Sequence, residues 1–210
     1  KVDQLLLNAL LPNKGAVGVY VVAVSNTEKL WMLVNNVGAV IFPFVSEQKD
    51  NKKGMSEFTT RIASLMLWLL VVGGAAGALL AEPVMSLLYG PEFNETAEII
   101  YWLIPGIIVL GHAKITSNYL AGVGKIGVNA VGAIGGLALN IVANIILIPK
   151  YGVMGAAMAT SLSYTCNGVF AAVMFSKISK VPFWHLIFPK KGDLVLVKYK
   201  VLSMLPFARG

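Results

Sequence analysis

The sequence predicts an all-α integral membrane protein: five complete membrane spans with a shorter apolar helix ahead of them. Three observations predict it. Of 210 residues, 57% are hydrophobic and 13% charged, with a mean hydropathy of +0.74, against about 25% charged in an ordinary soluble domain. Apolar runs long enough to cross a hydrocarbon core, which takes about 20 helical residues, recur at 17–43, 62–81, 99–122, 127–148 and 153–176. Finally, the stretch Leu139 to Thr160, LNIVANIILIPKYGVMGAAMAT, joins two apolar helices through Pro149-Lys150-Tyr151-Gly152. So tight a turn between such helices makes a membrane hairpin.

The elements follow in order. Residues 1–11 are apolar but too short to span. The chain opens on Lys1 without the ordered basic, apolar and small-residue regions of a signal peptide. This start reads as the truncated end of a helix in a longer protein. The loop 44–61 carries Lys49, Lys52, Lys53 and Arg61, whereas the loop 82–98 carries Glu82, Glu92, Glu95 and Glu98 and no Lys or Arg. Lys125 and Lys150 mark two short turns, and Lys177, Lys180, Lys190 and Lys191 follow the last span. Counted on alternate sides, nine Lys and Arg fall on one face of the membrane and two, Lys14 and Lys150, on the other. The positive-inside rule then puts 44–61, 123–126 and 177–192 in the cytoplasm of a prokaryotic cell membrane. The tail 193–210 is too short and too charged to span and reads as a cytoplasmic interfacial segment. Asn94-Glu95-Thr96 matches a glycosylation triplet, a pattern that chance supplies often.

Several function classes are excluded. The net charge of +7 is spread between apolar segments and forms no aromatic-interleaved patch, so nucleic acid is not a partner. There is no Walker-type phosphate loop; GVGKIG at 122–127 falls short of one. His112 and His185 stand on opposite sides of three predicted spans, no Cys/His cluster suits a metal, and the single Cys166 permits no intrachain disulfide. No enzyme, metal or cofactor is implied.

What remains are polar groups at membrane depth, which are costly and therefore candidate sites. Ser25, Glu28, Lys29, Met32 and Asn36 recur at helical spacing as one stripe. Glu28 and Lys29 lie about 17 Å below an outer end near Val17, and Asp3 about 13 Å below Pro12. Asp3, Glu28, Lys29 and Asn36 are thus the cavity candidates. One reading is a charged wall meeting an anionic, sugar-bearing headgroup; the other is an internal ion pair, Asp3–Lys29 or Glu28 with a helix missing from this chain. Asn140 and Asn144, four residues apart on one helical face, read as hydrogen-bonding glue between helices. His112, Lys114 and Asn118 form a weaker set, with Lys114 about 12 Å from the inner end and able to snorkel. Trp31, Trp68, Trp102 and Trp184 read as packing or interface anchors. Gly73-x-x-x-Gly77 and Gly132-x-x-x-Gly136 permit close helix approach, and Pro105 should kink its span.

Beyond these features, the hairpin LNIVANIILIPKYGVMGAAMAT closely resembles the C-terminal region of polysaccharide biosynthesis flippases, the O-antigen and capsule transporters of the multidrug/oligosaccharidyl-lipid/polysaccharide superfamily. VDQLLLNALLPNKGAVGVYVVAVS at 2–25, VGAVIFPFVSE at 37–47 and LLYGPEFNETAEIIYWLIP at 87–105 fit the same pattern in the same order. The resemblance covers 1–192. It implies a six-helix lobe of a two-lobe, alternating-access transporter, with the other lobe absent from this chain, and it puts Asp3 and Glu28/Lys29 on the cavity side. The partners implied are a lipid-linked oligosaccharide on an undecaprenyl-type carrier, membrane lipids, an N-terminal lobe and polysaccharide polymerase or assembly proteins. Two alternatives stand beside a flippase: a cation-coupled drug or metabolite antiporter, and a non-transporting scaffold of a polysaccharide machine. A cationic cavity wall would favour the first reading, an acidic one the antiporter.

Overall fold

The computed structural model describes residues 2–11, 14–47, 51–90 and 94–189. Its elements are α1 (Val2–Leu10), α2 (Lys14–Thr27), α3 (Lys29–Glu47), α4 (Lys52–Tyr89), α5 (Asn94–Gly122) and α6 (Ile126–Ser179), closed by a short 3-10 helix, Phe183–Leu186. Among the described residues every regular element is helical, as the composition predicts. The expected interfacial tail, 193–210, lies outside them, as do Pro12, Lys49, Lys190 and Lys191.

Four helical stretches are long and apolar enough to cross a membrane: Gly15–Glu47, Lys53–Tyr89, Glu95–Gly122 and Ile126–Ser179. The first joins α2 and α3 through a tightened turn at Glu28, where Trp31 N–H donates to Glu28 O at 2.9 Å. The second starts under an Asn51 cap, whose side-chain oxygen accepts from Gly54 N at 3.1 Å. The fourth has 54 residues, about 81 Å if straight, far more than the roughly 30 Å of a bilayer core.

That fourth helix is in fact folded back on itself. Gly152 has φ 57° and ψ −134°, the first central position of a type II′ turn, which favours glycine. The arms 126–151 and 153–179 then run antiparallel, with Asn140 reaching Thr160 and Ser163 and Gly132 facing Asn167 and Phe170. A Cβ on Gly152 would meet nothing within 4 Å, so any penalty for a side chain there is purely conformational. Gly152→Ala should therefore destabilise the hairpin by about 1–3 kcal/mol, measured by thermal unfolding in detergent; an unchanged midpoint would refute this account of the turn.

Packing centres on α5. Its apolar stretch is 61% buried, against 22–28% for the other three, and it touches α2, α3, α4 and α6. The contact with α6 is nearly backbone to backbone. A Cβ on Gly106 would lie 2.6 Å from Ser161 Cα, and one on Gly168 would lie 2.9 Å from Val109 O. Pro105 has no N–H to give, and the next N–H, that of Gly106, donates to Ser161 Oγ at 3.0 Å. Of the two glycine pairs singled out in the sequence, Gly132/Gly136 do sit against the other hairpin arm. Gly73/Gly77 do not mark a close approach: a Cβ on Gly77 would meet nothing within 4 Å, whereas one on Gly74 would lie 2.9 and 3.0 Å from the side chains of Ile108 and Ile104.

One apolar cluster, around Leu7, Tyr20, Leu103 and Ile148, fills the end where α6 turns. Another, around Ile41, Met55, Leu120 and Phe175, fills the opposite end. Outside the bundle, Leu69, Val72, Leu79, Leu80 and Leu87 of α4 and Ile134, Leu137, Ile145 and Ile146 of α6 are exposed. Apolar surface on this scale needs lipid or protein to cover it.

After α6 the chain turns at Lys180, φ 57°, and packs back against the bundle. Leu186 is fully buried, its carbonyl 3.1 Å from His112 Nε2, and Trp68 Nε1 donates to Ile187 O at 3.0 Å. The expected separation of the two histidines is thus corrected: the returning chain brings His112 to the residue beside His185. Counting spans along the chain cannot register such a return. Thr96, in the Asn94-Glu95-Thr96 triplet, is fully buried.

Candidate substrate cavity

A cavity of about 620 Å³ opens between α1, the Glu28 turn, α5 and both arms of α6. Helical periodicity builds it. On the first arm of α6, Asn129, Gly132, Gly136 and Asn140 recur at three- and four-residue steps; on the second, Thr160, Ser163 and Asn167 do the same. Lys114 and Asn118, four apart on α5, supply another wall, and α1 contributes Asp3.

The inner edge of this cavity is a hydrogen-bonded chain. Tyr20 Oη donates to Asp3 Oδ2 at 2.7 Å and lies 3.2 Å from Thr160 Oγ1. Asn140 Nδ2 lies 3.4 Å from Thr160 Oγ1 and 3.3 Å from Ser163 Oγ. Asn144 Nδ2 donates to Asn140 O at 2.8 Å and to Asn140 Oδ1 at 3.0 Å. Asn140 thereby ties the hairpin arms together while also facing the cavity. Asn144 is fully buried, and its Oδ1 has no hydrogen-bond partner.

The sequence candidates divide. Asp3 and Glu28 line the cavity together. Lys29 does not: it is exposed, donates to Asn26 Oδ1 at 2.8 Å, and lines a separate apolar groove with Gly77, Leu80 and Ile104. Neighbouring helical residues point about 100° apart, so a Glu28 facing inward carries Lys29 away, and the expected Asp3–Lys29 wall or pair is not formed. Asn36 is exposed on α3 and is not among the cavity's lining residues. Among the described residues the cation on the wall is Lys114, from the set the sequence ranked lower. The Thr160–Ser163–Asn167 stripe was missed, although its spacing is legible once the second arm is known to face the first.

Long apolar helices with an apolar exterior around a charged, amide-lined cavity have the build of a multi-pass membrane protein. Residues 19–206 match the family model described as lipid II flippase MurJ, and the chain belongs to that family. It is 28% identical over 173 residues to an uncharacterized membrane protein of Methanocaldococcus jannaschii, covering 81% of this chain and 33% of that one. It is 28% identical over 171 residues to a probable low-salt glycan biosynthesis flippase, Agl15, of Haloferax volcanii (80% and 36% covered). It is also 29% identical over 211 residues to a probable multidrug resistance protein, YpnP, of Bacillus subtilis (93% and 45% covered). The chain spans about a third of the length of the first two relatives. No solved structure matches it significantly. The resemblance to polysaccharide flippases is thus borne out at the level of the family.

Proposed function

We propose that this chain forms one lobe of a flippase that carries a lipid-linked oligosaccharide across the cell membrane by alternating access. The observation that carries the reading is the polar lining of the cavity rather than its charge, since Asp3 and Glu28 outnumber Lys114 among the described lining residues. Amides of Asn118, Asn129, Asn140 and Asn167 line it with the hydroxyls of Ser117 and Ser163 and with Lys114. Amides and hydroxyls both donate and accept, which suits the hydroxyls of a sugar, and a lysine suits a phosphate of the carrier. The glycan-flippase name of the Haloferax relative supports the same reading. In this proposal residues 1–192 make a six-helix lobe, five complete spans after a truncated first helix, with the hairpin arms as the last two, and a second lobe closes the cavity. The basic loops and the C-terminus face the cytoplasm, and an undecaprenyl-type lipid bears the glycan.

The test is to deplete the full-length protein in cells whose surface glycan requires it. Lipid-linked oligosaccharide should then accumulate in a form that an impermeant glycosidase cannot reach from outside. Accumulation on the outer leaflet, or unchanged surface glycan, would overturn the proposal.

A second reading, a cation-coupled antiporter, draws on the two carboxylates, Asp3 and Glu28, that share the described wall with one lysine, and on the multidrug relative. An acidic cavity attracts organic cations. Efflux of a fluorescent organic cation from vesicles, with no movement of lipid-linked sugar, would favour it.

A further inference from the structure

A second cavity, of about 710 Å³, lies at the end of the bundle where the basic loops meet. It shares no lining residue with the candidate transport cavity. Its cations come from separate parts of the chain: Lys53 and Arg61 from the start of α4, Lys125 from the α5–α6 turn, and Lys180 from just beyond α6. Glu57 is the one carboxylate among the described lining residues, against Lys53, Lys125 and Lys180 besides Arg61, which has a partner of its own. A lining with this balance attracts an anion.

The surroundings say which kind of anion. Part of the lining is apolar, with Val123, Ile178 and Val181. The adjoining returning segment exposes Trp184, next in sequence to the lining residue His185. Exposed aromatic side chains with a polar edge mark the level of lipid headgroups, and basic pockets between helices at that level hold acidic headgroups. Lys180 is held in place by more than its own helix. It is the one non-glycine residue with positive φ among the described residues, and Ser176 Oγ donates across it to Val181 O at 2.7 Å.

We infer that this pocket binds the phosphate of an anionic phospholipid headgroup, at a site separate from the path of the transported substrate. The inference needs a membrane-embedded chain and does not depend on which substrate is carried.

The experiment uses the purified full-length protein in detergent, titrated with phosphatidylglycerol, with zwitterionic phosphatidylcholine, and with inorganic phosphate, binding being read by native mass spectrometry. Phosphatidylglycerol should bind saturably and phosphatidylcholine should not. Lys125→Gln combined with Lys180→Gln should weaken phosphatidylglycerol roughly thirtyfold, two lysine–headgroup attractions being lost. Lys29→Gln, a cation outside the pocket, should not change it. Arg61→Gln provides an independent variant should the double one fold poorly. Equal binding of the two lipids, or unaltered phosphatidylglycerol binding in folded pocket variants, would overturn the inference. Complete competition by equimolar inorganic phosphate would overturn the lipid source and leave a soluble anion as the ligand.

Discussion

Lys114→Gln should lower flipping of the lipid-linked glycan at least tenfold, whereas Lys29→Gln should leave it within about twofold. Lys114 is part-buried and lines the polar cavity beside Asn118, while Lys29 is exposed, bonded to Asn26 and turned toward an apolar groove. A charge-assisted hydrogen bond from a lysine to phosphate contributes about 1.5–3 kcal/mol, which converts to a factor of roughly ten to a hundred. The measurement is export of surface glycan by each variant of the full-length protein, normalised to the amount in the membrane. Charge exchange sharpens it. Because Asp3 is bonded to Tyr20 and Lys29 to Asn26, Asp3→Lys combined with Lys29→Asp should not restore what Asp3→Lys alone removes. Loss of export with Lys29→Gln but not with Lys114→Gln would sink the assignment of the wall.

Why the sequence favoured Lys29 is instructive. Depth along a helix is legible from residue counting, since each residue advances a fixed 1.5 Å, and that alone paired Asp3 with Glu28 and Lys29. Azimuth is not legible in the same way. A single tightened turn at Glu28, and the choice of which face meets α5, decide whether a residue looks into the cavity or out at lipid. The hairpin was readable because Pro149 and Gly152 are local signals, and the apolar helices because their composition leaves no other home. The return of residues 181–189 onto His112 and Trp68 was unreadable, for it rests on contacts more than 70 positions apart in sequence. The glycine pairs show the same division. Gly132 and Gly136 face a partner already fixed by the hairpin, whereas Gly73 and Gly77 required knowing how α4 is rotated against α5.

The contact between α5 and the second arm of α6 carries the second large effect. Gly106→Ala should destabilise the bundle by about 2–4 kcal/mol, while Gly77→Ala should cost nothing and gain up to about 1 kcal/mol. Both substitutions add one methyl group to a glycine within a long apolar helix, so composition and propensity treat them alike; the usual helical gain from Gly to Ala is about 0.5–1 kcal/mol. What differs is the neighbour. At Gly106 the new Cβ would lie 2.6 Å from Ser161 Cα and 2.7 Å from Ser161 O. These are backbone atoms that no rotamer change can move, so α5 and the second arm of α6 would have to separate. Overpacking of this kind costs about 1–3 kcal/mol, and separation also weakens the 3.0 Å bond from Gly106 N–H to Ser161 Oγ, with a net contribution of about 1 kcal/mol. At Gly77 the new methyl group would meet nothing within 4 Å. Thermal unfolding of the full-length protein in one detergent should therefore rank Gly77→Ala at or above the parent and Gly106→Ala well below it. The reverse order would mean that α4, not the α5–α6 contact, holds the tightest helix packing in the bundle.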